Sequence, residues 1–294
     1  MPTLALLTAP GGPIELAEFP LSDPAPETAA LKLRMAGICG SDLHIFRGEL
    51  PLPCPFAMGH EMVGEIAERG EGLTTDATGQ PLAVGDRVVT PYFWFCGSCH
   101  ACSRGRPRAC QNLMAGEYRT HEQEPHFVAA HAEYYCTSAR QPLYKVPERL
   151  DVAADFGATH CLDAGGLSAA ELSERVHGLT DGIGADWVLE VVGVPAVIPD
   201  GIGFLNNGGT LLEVGNVGMG RTFELDPSVL VYGNKSVRGV MFYDPVTLAI
   251  GLSFLQHNSF PFRRLLPRPF RLADINAAYA AADTGSMPRG ALVP

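Results

Sequence analysis

ALKLRMAGICGSDLHIFRG, residues 30–48, alternates apolar and polar side chains as far as Ile38, then breaks into a turn that carries a thiol, a hydroxyl, a carboxylate and an imidazole. Alternation with period two marks a strand with one buried face. A second such stretch, EMVGEIAE (61–68), follows directly on His60. Further short strands are predicted at 84–90, opened by a Gly-Asp pair, and at 132–137, which is rich in aromatic residues. Residues 69–81 read as a polar loop. Short strands punctuated by glycine and proline predict a compact, largely β first half.

The second half changes period. SAAELSERVH (168–177) opens with a Ser cap and a Glu three positions later, a capping box that predicts a helix. DWVLEVV (186–192) is nearly continuous apolar, as expected of a strand covered on both faces. A helical segment at 195–205, strands at 210–214 and 235–241, and helices at 245–256 and 273–282 follow. Strand and helix alternate, which predicts an α/β unit with a mainly parallel sheet.

The totals narrow the function classes. With 294 residues and 46% hydrophobic residues, the chain can bury one large or two ordinary cores. Its formal net charge of −11 opposes a nucleic-acid partner, because no basic surplus displaces counterions from phosphates. The start, MPTLALLTAPGGP, has no basic stretch leading into an apolar core, and no run reaches 18 apolar residues. The expectation is a cytoplasmic protein without a membrane partner.

Eight cysteines are too few for a disulfide scaffold in a chain of this length, yet four crowd into residues 96–110. Cys96, Cys99, Cys102 and Cys110 are spaced C-x2-C-x2-C-x7-C. Four thiolates can enclose one zinc tetrahedrally, a closed shell that braces a loop and does no chemistry. An iron–sulfur centre is the competing metal. Cys39, His60 and Glu61 supply a second thiolate–imidazole–carboxylate set, readable either as packed side chains or as a metal site. In the second reading the metal is a Lewis acid on an alcohol or carbonyl oxygen, Ser41 passes a proton onward, His44 relays it to water, and Glu61 is a ligand or an outer carboxylate. Cys54, Cys136 and Cys161 read as core or pocket lining, as do Phe93, Trp94 and Phe95. His121, His126 and His131, five apart, read as loop and pocket positions, with a polar substrate contact open to His121 or His126.

AGICGSDLHIFRG, PFAMGHEMVGEI (55–66), VGDRVV (84–89) and the four-cysteine loop occur together in one order and resemble the zinc-dependent, medium-chain alcohol dehydrogenase family. The resemblance covers essentially the whole chain, including the tail FRLADINAAYAAADTGSMPRGALVP (270–294). It implies a mixed β and α/β fold: a GroES-like zinc-binding catalytic domain over 1–147, a Rossmann-like domain over 148–262, and a C-terminal segment, 263–294, returning to the catalytic domain. It also implies that Cys39 and His60 hold catalytic zinc, that Ser41 and His44 are proton-relay residues, and that Cys96, Cys99, Cys102 and Cys110 hold structural zinc. The reaction implied is hydride transfer between an alcohol and NAD or NADP.

Against that family, YKVPERLDVAADFGATH (144–160) is too short. Between its PE and RLDVAADFGATH the resemblance calls for a third zinc ligand, two strand–helix units and the glycine-rich turn, roughly seventy residues. No G-x-G-x-x-G elsewhere follows a strand and opens a helix: Gly201 and Gly203 fall inside a predicted helix, and GNVGMG (215–220) precedes none. The doubly wound domain is therefore expected to be incomplete, lacking its first two strands, with Thr159 to Asp163 as an orphaned third. The implied function is an alcohol dehydrogenase-like oxidoreductase with impaired activity; the alternative is a non-enzymatic zinc-binding remnant or interaction subunit, with a homo-oligomer open to either. Glu61 is expected to replace the lost third ligand.

Overall fold

The computed structural model describes residues 1–50, 52–113, 121–145, 162, 166–215, 218–257, 269–284 and 290–294. The chain divides into two compact units, one formed by Met1–Gly157 with Tyr243–Pro294, the other by Ala158–Phe242.

In the larger unit the elements before residue 146 are β1 (Thr3–Leu7), β2 (Ile14–Glu18), β3 (Ala29–Ile38), α1 (Gly40–Phe46), β4 (Phe56–Ala57), β5 (Glu61–Arg69), β6 (Arg87–Val89), β7 (Tyr134–Cys136) and β8 (Tyr144–Lys145). The alternation read at 30–38 is real: Leu31 and Leu33 are buried while Lys32 and Arg34 are not. These inward residues meet Ile66, Val88, Phe127 and Tyr135 in one core, where each fully buried aliphatic side chain contributes roughly 1.5–3 kcal/mol. The strand expected at 84–90 shrinks to three residues. Gly85, at φ +93°, makes a turn there, and Val84 is exposed.

The polar loop of 69–81 is pinned by a single buried carboxylate. Asp76 accepts from Thr78 N (2.8 Å), Thr78 Oγ1 (2.7 Å), Gln80 N (2.9 Å) and, across to β8, Lys145 N (3.0 Å). Burial alone would raise its pKa, but these donors hold it below the usual carboxylate range. Asp76→Ala is expected to cost about 2–4 kcal/mol in urea unfolding, because three backbone N–H groups and a hydroxyl lose a charged acceptor. Since the folded pKa lies below the unfolded one, near 4, the contribution is present above that value and is lost as pH falls through the folded pKa. Asp76→Ala should lose that part of the acid sensitivity.

The smaller unit contains α2 (Ala169–Gly178), β9 (Ala185–Glu190), α3 (Ile198–Gly203), β10 (Leu205–Glu213), α4 (Ser228–Gly233) and β11 (Ser236–Gly239). Its strands are parallel in the order β11-β10-β9. The predicted capping box opens α2: Ser168 Oγ accepts from Glu171 N, and Glu171 accepts from Ser168 N at 2.8 Å. This is a reduced Rossmann-like domain, with three strands among the described residues where a doubly wound dinucleotide fold has six. The two-sided burial expected at 186–192 is corrected. Val188 packs with Ile198, Ile202, Leu205 and Leu211 on one face, but Trp187 and Leu189, pointing the other way, are 59% and 61% exposed. Among the described residues nothing covers that face, as follows if the helices that would lie on it belong to the absent strand–helix units. Residues 146–161 and 163–165, with the PERL junction and all of the expected third strand but Leu162, lie outside the described residues.

The chain then adds α5 (Pro245–His257), β12 (Phe270–Arg271), α6 (Ile275–Asp283) and β13 (Gly290–Val293) to the larger unit. As the tail suggested, β13 pairs antiparallel with β3, completing a sheet β12-β13-β3-β5-β6-β8 with β7 also on β3. Tyr279 and Ile275 of α6 seal a second core with Leu7, Ile14 and Met58.

Candidate metal centres

The register of β3 on β5 makes the first site. They run antiparallel with Gly37 opposite Glu61, so the residue just beyond the end of β3, Cys39, comes beside those at the start of β5, His60 and Glu61. Their ligating atoms lie within 4.8 Å of one another. Gly37 leaves the room that the Glu61 carboxylate occupies: a Cβ there would sit 2.2 Å from Glu61 Oε2 and force that side chain to move.

Asp42 ties the site together. As the third residue of α1 it accepts from Cys39 N at 2.8 Å, and its other oxygen lies 3.1 Å from His60 Nδ1. It is fully buried. A buried carboxylate on Nδ1 fixes the tautomer that leaves Nε2 free for a metal. Burial alone would lower the His60 pKa, but Asp42 and Cys39 hold it up at about 10. The Cys39 thiol, which burial would push up, is held below its ordinary value by His60 and Ser41. A divalent cation bound by these groups would take the place of the protons that otherwise sit on the thiol and the imidazole.

Ser41 and His44 stand three apart on α1 and meet different partners. Ser41 Oγ lies 3.0 Å from His60 Nε2, and the buried His44 pairs through Nδ1 with Glu49. Tyr92 stands edge-on to His60 at 4.9 Å, and the buried Phe93 stands edge-on to both Tyr92 and Tyr243 at 5.1 Å. Tyr243 was not singled out by the sequence; burial pushes its hydroxyl pKa up to about 12.

The second site is the loop of Cys96, Cys99, Cys102 and Cys110. Their sulfurs are separated by 3.5 Å (Cys96–Cys110) and 4.0 Å (Cys96–Cys102 and Cys99–Cys110). A tetrahedral Zn–S length of about 2.3 Å gives sulfurs about 3.8 Å apart. Backbone N–H groups of Cys96 and Cys99 point at Cys110 Sγ and Cys96 Sγ, both at 3.4 Å. Such donors favour thiolates, and backbone N–H groups of Cys102 and Gln111 lower the Cys99 pKa to about 6. Cys102 is driven up to about 12, first by burial and then by the neighbouring sulfurs. Four cysteine sulfurs at this spacing can enclose a cation, and both donor sets fit zinc.

His121 and His126 are accounted for by packing. The first is edge-on to Phe19 at 5.9 Å and the second stacks on it at 4.9 Å, with Nδ1 2.7 Å from His121 O. Cys54 is exposed, Cys136 lies in β7, and Cys161 is outside the described residues. Trp94 is buried with no partner for Nε1 among the described residues. Glu190, at the end of β9, accepts from Val192 N and Gly193 N at 2.8 Å, anchoring its turn. Among the described residues no helix is long and apolar enough to cross a membrane.

A family model described as "Alcohol dehydrogenase GroES-like domain" matches residues 25–148, and one described as "Zinc-binding dehydrogenase" matches 144–257. The 5-exo-hydroxycamphor dehydrogenase of Pseudomonas putida is 24% identical, covering 93% of this chain and 94% of its own length. The sorbitol dehydrogenase of Halalkalibacterium halodurans is 24% identical over 96% of each. The first alignment runs over 342 positions against 294 residues, so at least 48 positions of that relative face no residue of this chain. Among solved structures, an alcohol dehydrogenase from Thermotoga maritima superposes with a TM-score of 0.89 at 22% identity, covering 100% of this chain and 99% of its own.

Proposed function

Because the chain belongs to the zinc-dependent alcohol dehydrogenase family, we propose that it binds two zinc ions and presents one of them to an alcohol or carbonyl substrate, with hydride transfer to NAD or NADP impaired. One observation carries the reading: Cys39, His60 and Glu61 converge within 4.8 Å in a chain where, among the described residues, no G-x-G-x-x-G turn leads from a strand into a helix. Bound there, zinc supplies Lewis acidity toward the substrate oxygen. Cys39, His60 and Glu61 hold it, Glu61 serving as third ligand, and Asp42 fixes the imidazole. Ser41, beside His60 Nε2, is placed to take a proton from a substrate hydroxyl, and His44 with Glu49 to hand one to solvent once a hydroxyl or water bridges the gap. Tyr92, Phe93 and Tyr243 exclude water. Cys96, Cys99, Cys102 and Cys110 hold the structural ion.

In this reading residues 1–147 form the catalytic domain, 148–262 the reduced nucleotide domain and 263–294 the returning segment. The substrate is a small molecule in the cytoplasm, where thiols stay reduced, and the acidic surface suits neither nucleic acid nor an acidic partner. A non-enzymatic zinc protein or interaction subunit is the second reading, favoured by the three-stranded sheet.

Metal analysis is expected to give two zinc ions per chain in the wild type, and one in each of Cys39→Ala, His60→Ala and Glu61→Gln. Unchanged stoichiometry in all three would reject the first site.

A further inference from the structure

His131 is fully buried, and so is Tyr279 of α6. His131 Nε2 lies 3.0 Å from Gly37 O, and Nδ1 lies 3.2 Å from the Tyr279 hydroxyl. A carbonyl only accepts, so Nε2 carries the proton; Nδ1 is then an acceptor, and Tyr279 donates to it. The result is a directed, neutral chain from Tyr279 through the imidazole to the Gly37 carbonyl. Burial agrees with it, lowering the His131 pKa and raising that of Tyr279 well above its ordinary value.

What the chain holds is the scaffold of the metal centre. Gly37 lies two residues before Cys39 and directly under the Glu61 carboxylate. The ring of His131 also fills the space over Gly59, the residue before His60: a Cβ there would come within 2.4 Å of Cδ2, and Gly59 is at φ +93°. The backbone completes the clasp, with Ala130 N donating to Gly59 O and His131 N to Met58 O, both at 2.9 Å. One side chain therefore touches the segment bearing Cys39 and the segment bearing His60 and Glu61, and is itself fixed by the C-terminal helix.

We propose that His131 and Tyr279 are positioning residues that set the spacing of Cys39, His60 and Glu61, and so the metal affinity of that centre, without touching the metal. The proposal rests on the reading of these three residues as a zinc site. Its consequence is a dependence of the first site, but not of the four-cysteine site, on the return of the chain through α6.

The test is zinc release to a chromophoric chelator, which resolves the two sites by affinity, together with the visible spectrum after cobalt substitution. His131→Phe is expected to weaken the Cys39 site at least about tenfold, the range seen when outer hydrogen-bond partners of a metal site are lost, and to shift its cobalt bands. The four-cysteine ion should be held as in the wild type. Tyr279→Phe, which removes one hydroxyl and preserves the packing, should move affinity in the same direction by a smaller factor, and covers the case in which His131→Phe does not fold. His131→Gln, able to donate to Gly37 O again, should recover most of the loss. Wild-type affinity and cobalt spectrum in both Phe variants, or equal weakening of the two sites, would overturn the proposal. A wild-type protein that takes up no second zinc would overturn the zinc reading beneath it, and this proposal with it.

Discussion

Titrated with NADH or NADPH, the protein is expected to bind either cofactor at least about a thousandfold more weakly than a complete member of its family. A dinucleotide is gripped mainly at its diphosphate, by backbone N–H groups of a glycine-rich turn and the N-terminus of the helix that follows. Several charge-assisted hydrogen bonds at about 1.5–3 kcal/mol each are thereby lost, and a deficit near 4 kcal/mol is already about a thousandfold. Among the described residues, the glycines nearest such a pattern do not rebuild the cradle. Gly201 and Gly203 lie within α3, and Gly215 is packed against Gly193 and Glu190, where a Cβ would lie 2.4 Å from Gly193 N. Quenching of protein fluorescence by added NADH measures the affinity directly. A dissociation constant in the low micromolar range would overturn the expectation, and with it the view that hydride transfer is impaired. Absence of binding up to millimolar cofactor, beside two bound zinc ions, would favour the non-enzymatic reading.

Cys102→Ser is expected to produce the second large effect, on the four-cysteine site. Structural zinc in small thiolate-rich sites is bound with about 10–16 kcal/mol at neutral pH, so loss of one of four ligands should weaken binding on the order of a hundredfold to a thousandfold. Cys102 is the informative choice because burial and the neighbouring sulfurs push its thiol pKa up to about 12, with Cys96 Sγ 4.0 Å away. Chelator competition reads the loss. Limited proteolysis should then cut between residues 96 and 112, where two short turns of 3-10 helix, Cys102–Arg104 and Pro107–Ala109, are the only regular structure described. The Cys39 centre, built by β3 and β5 and not by this loop, should keep its ion. An unchanged affinity would argue that three sulfurs suffice.

Much of this was legible because period and spacing survive translation into structure. Period two at 30–38 and 61–68 gave β3 and β5 nearly residue for residue, and their antiparallel pairing is what turns Cys39, His60 and Glu61 into neighbours. The capping residues Ser168 and Glu171 fixed the start of α2 because that bond is local. Misreadings came where distant structure decides. An apolar run such as DWVLEVV looks the same whether or not a layer of helices covers it, so the exposure of Trp187 could not be read from its own neighbours. The strand at 84–90 was shortened by a turn at Gly85. His131 gave no local signal either: its partners are 94 and 148 residues away. The partners of Ser41 and His44 were equally out of reach of the local sequence, since the Ser41 hydroxyl meets His60 and the His44 ring meets Glu49.

The uncovered side of the small parallel sheet has a practical meaning at the bench. The chain has two tryptophans, and they divide between the compact units: Trp94, 6% exposed, and Trp187, 59% exposed. A solvent-quenchable, red-shifted emitter thus marks one body and a shielded, blue-shifted emitter the other. Intrinsic emission is therefore a sum of two reporters, one in each unit, and a melting curve followed by it reads both units at once.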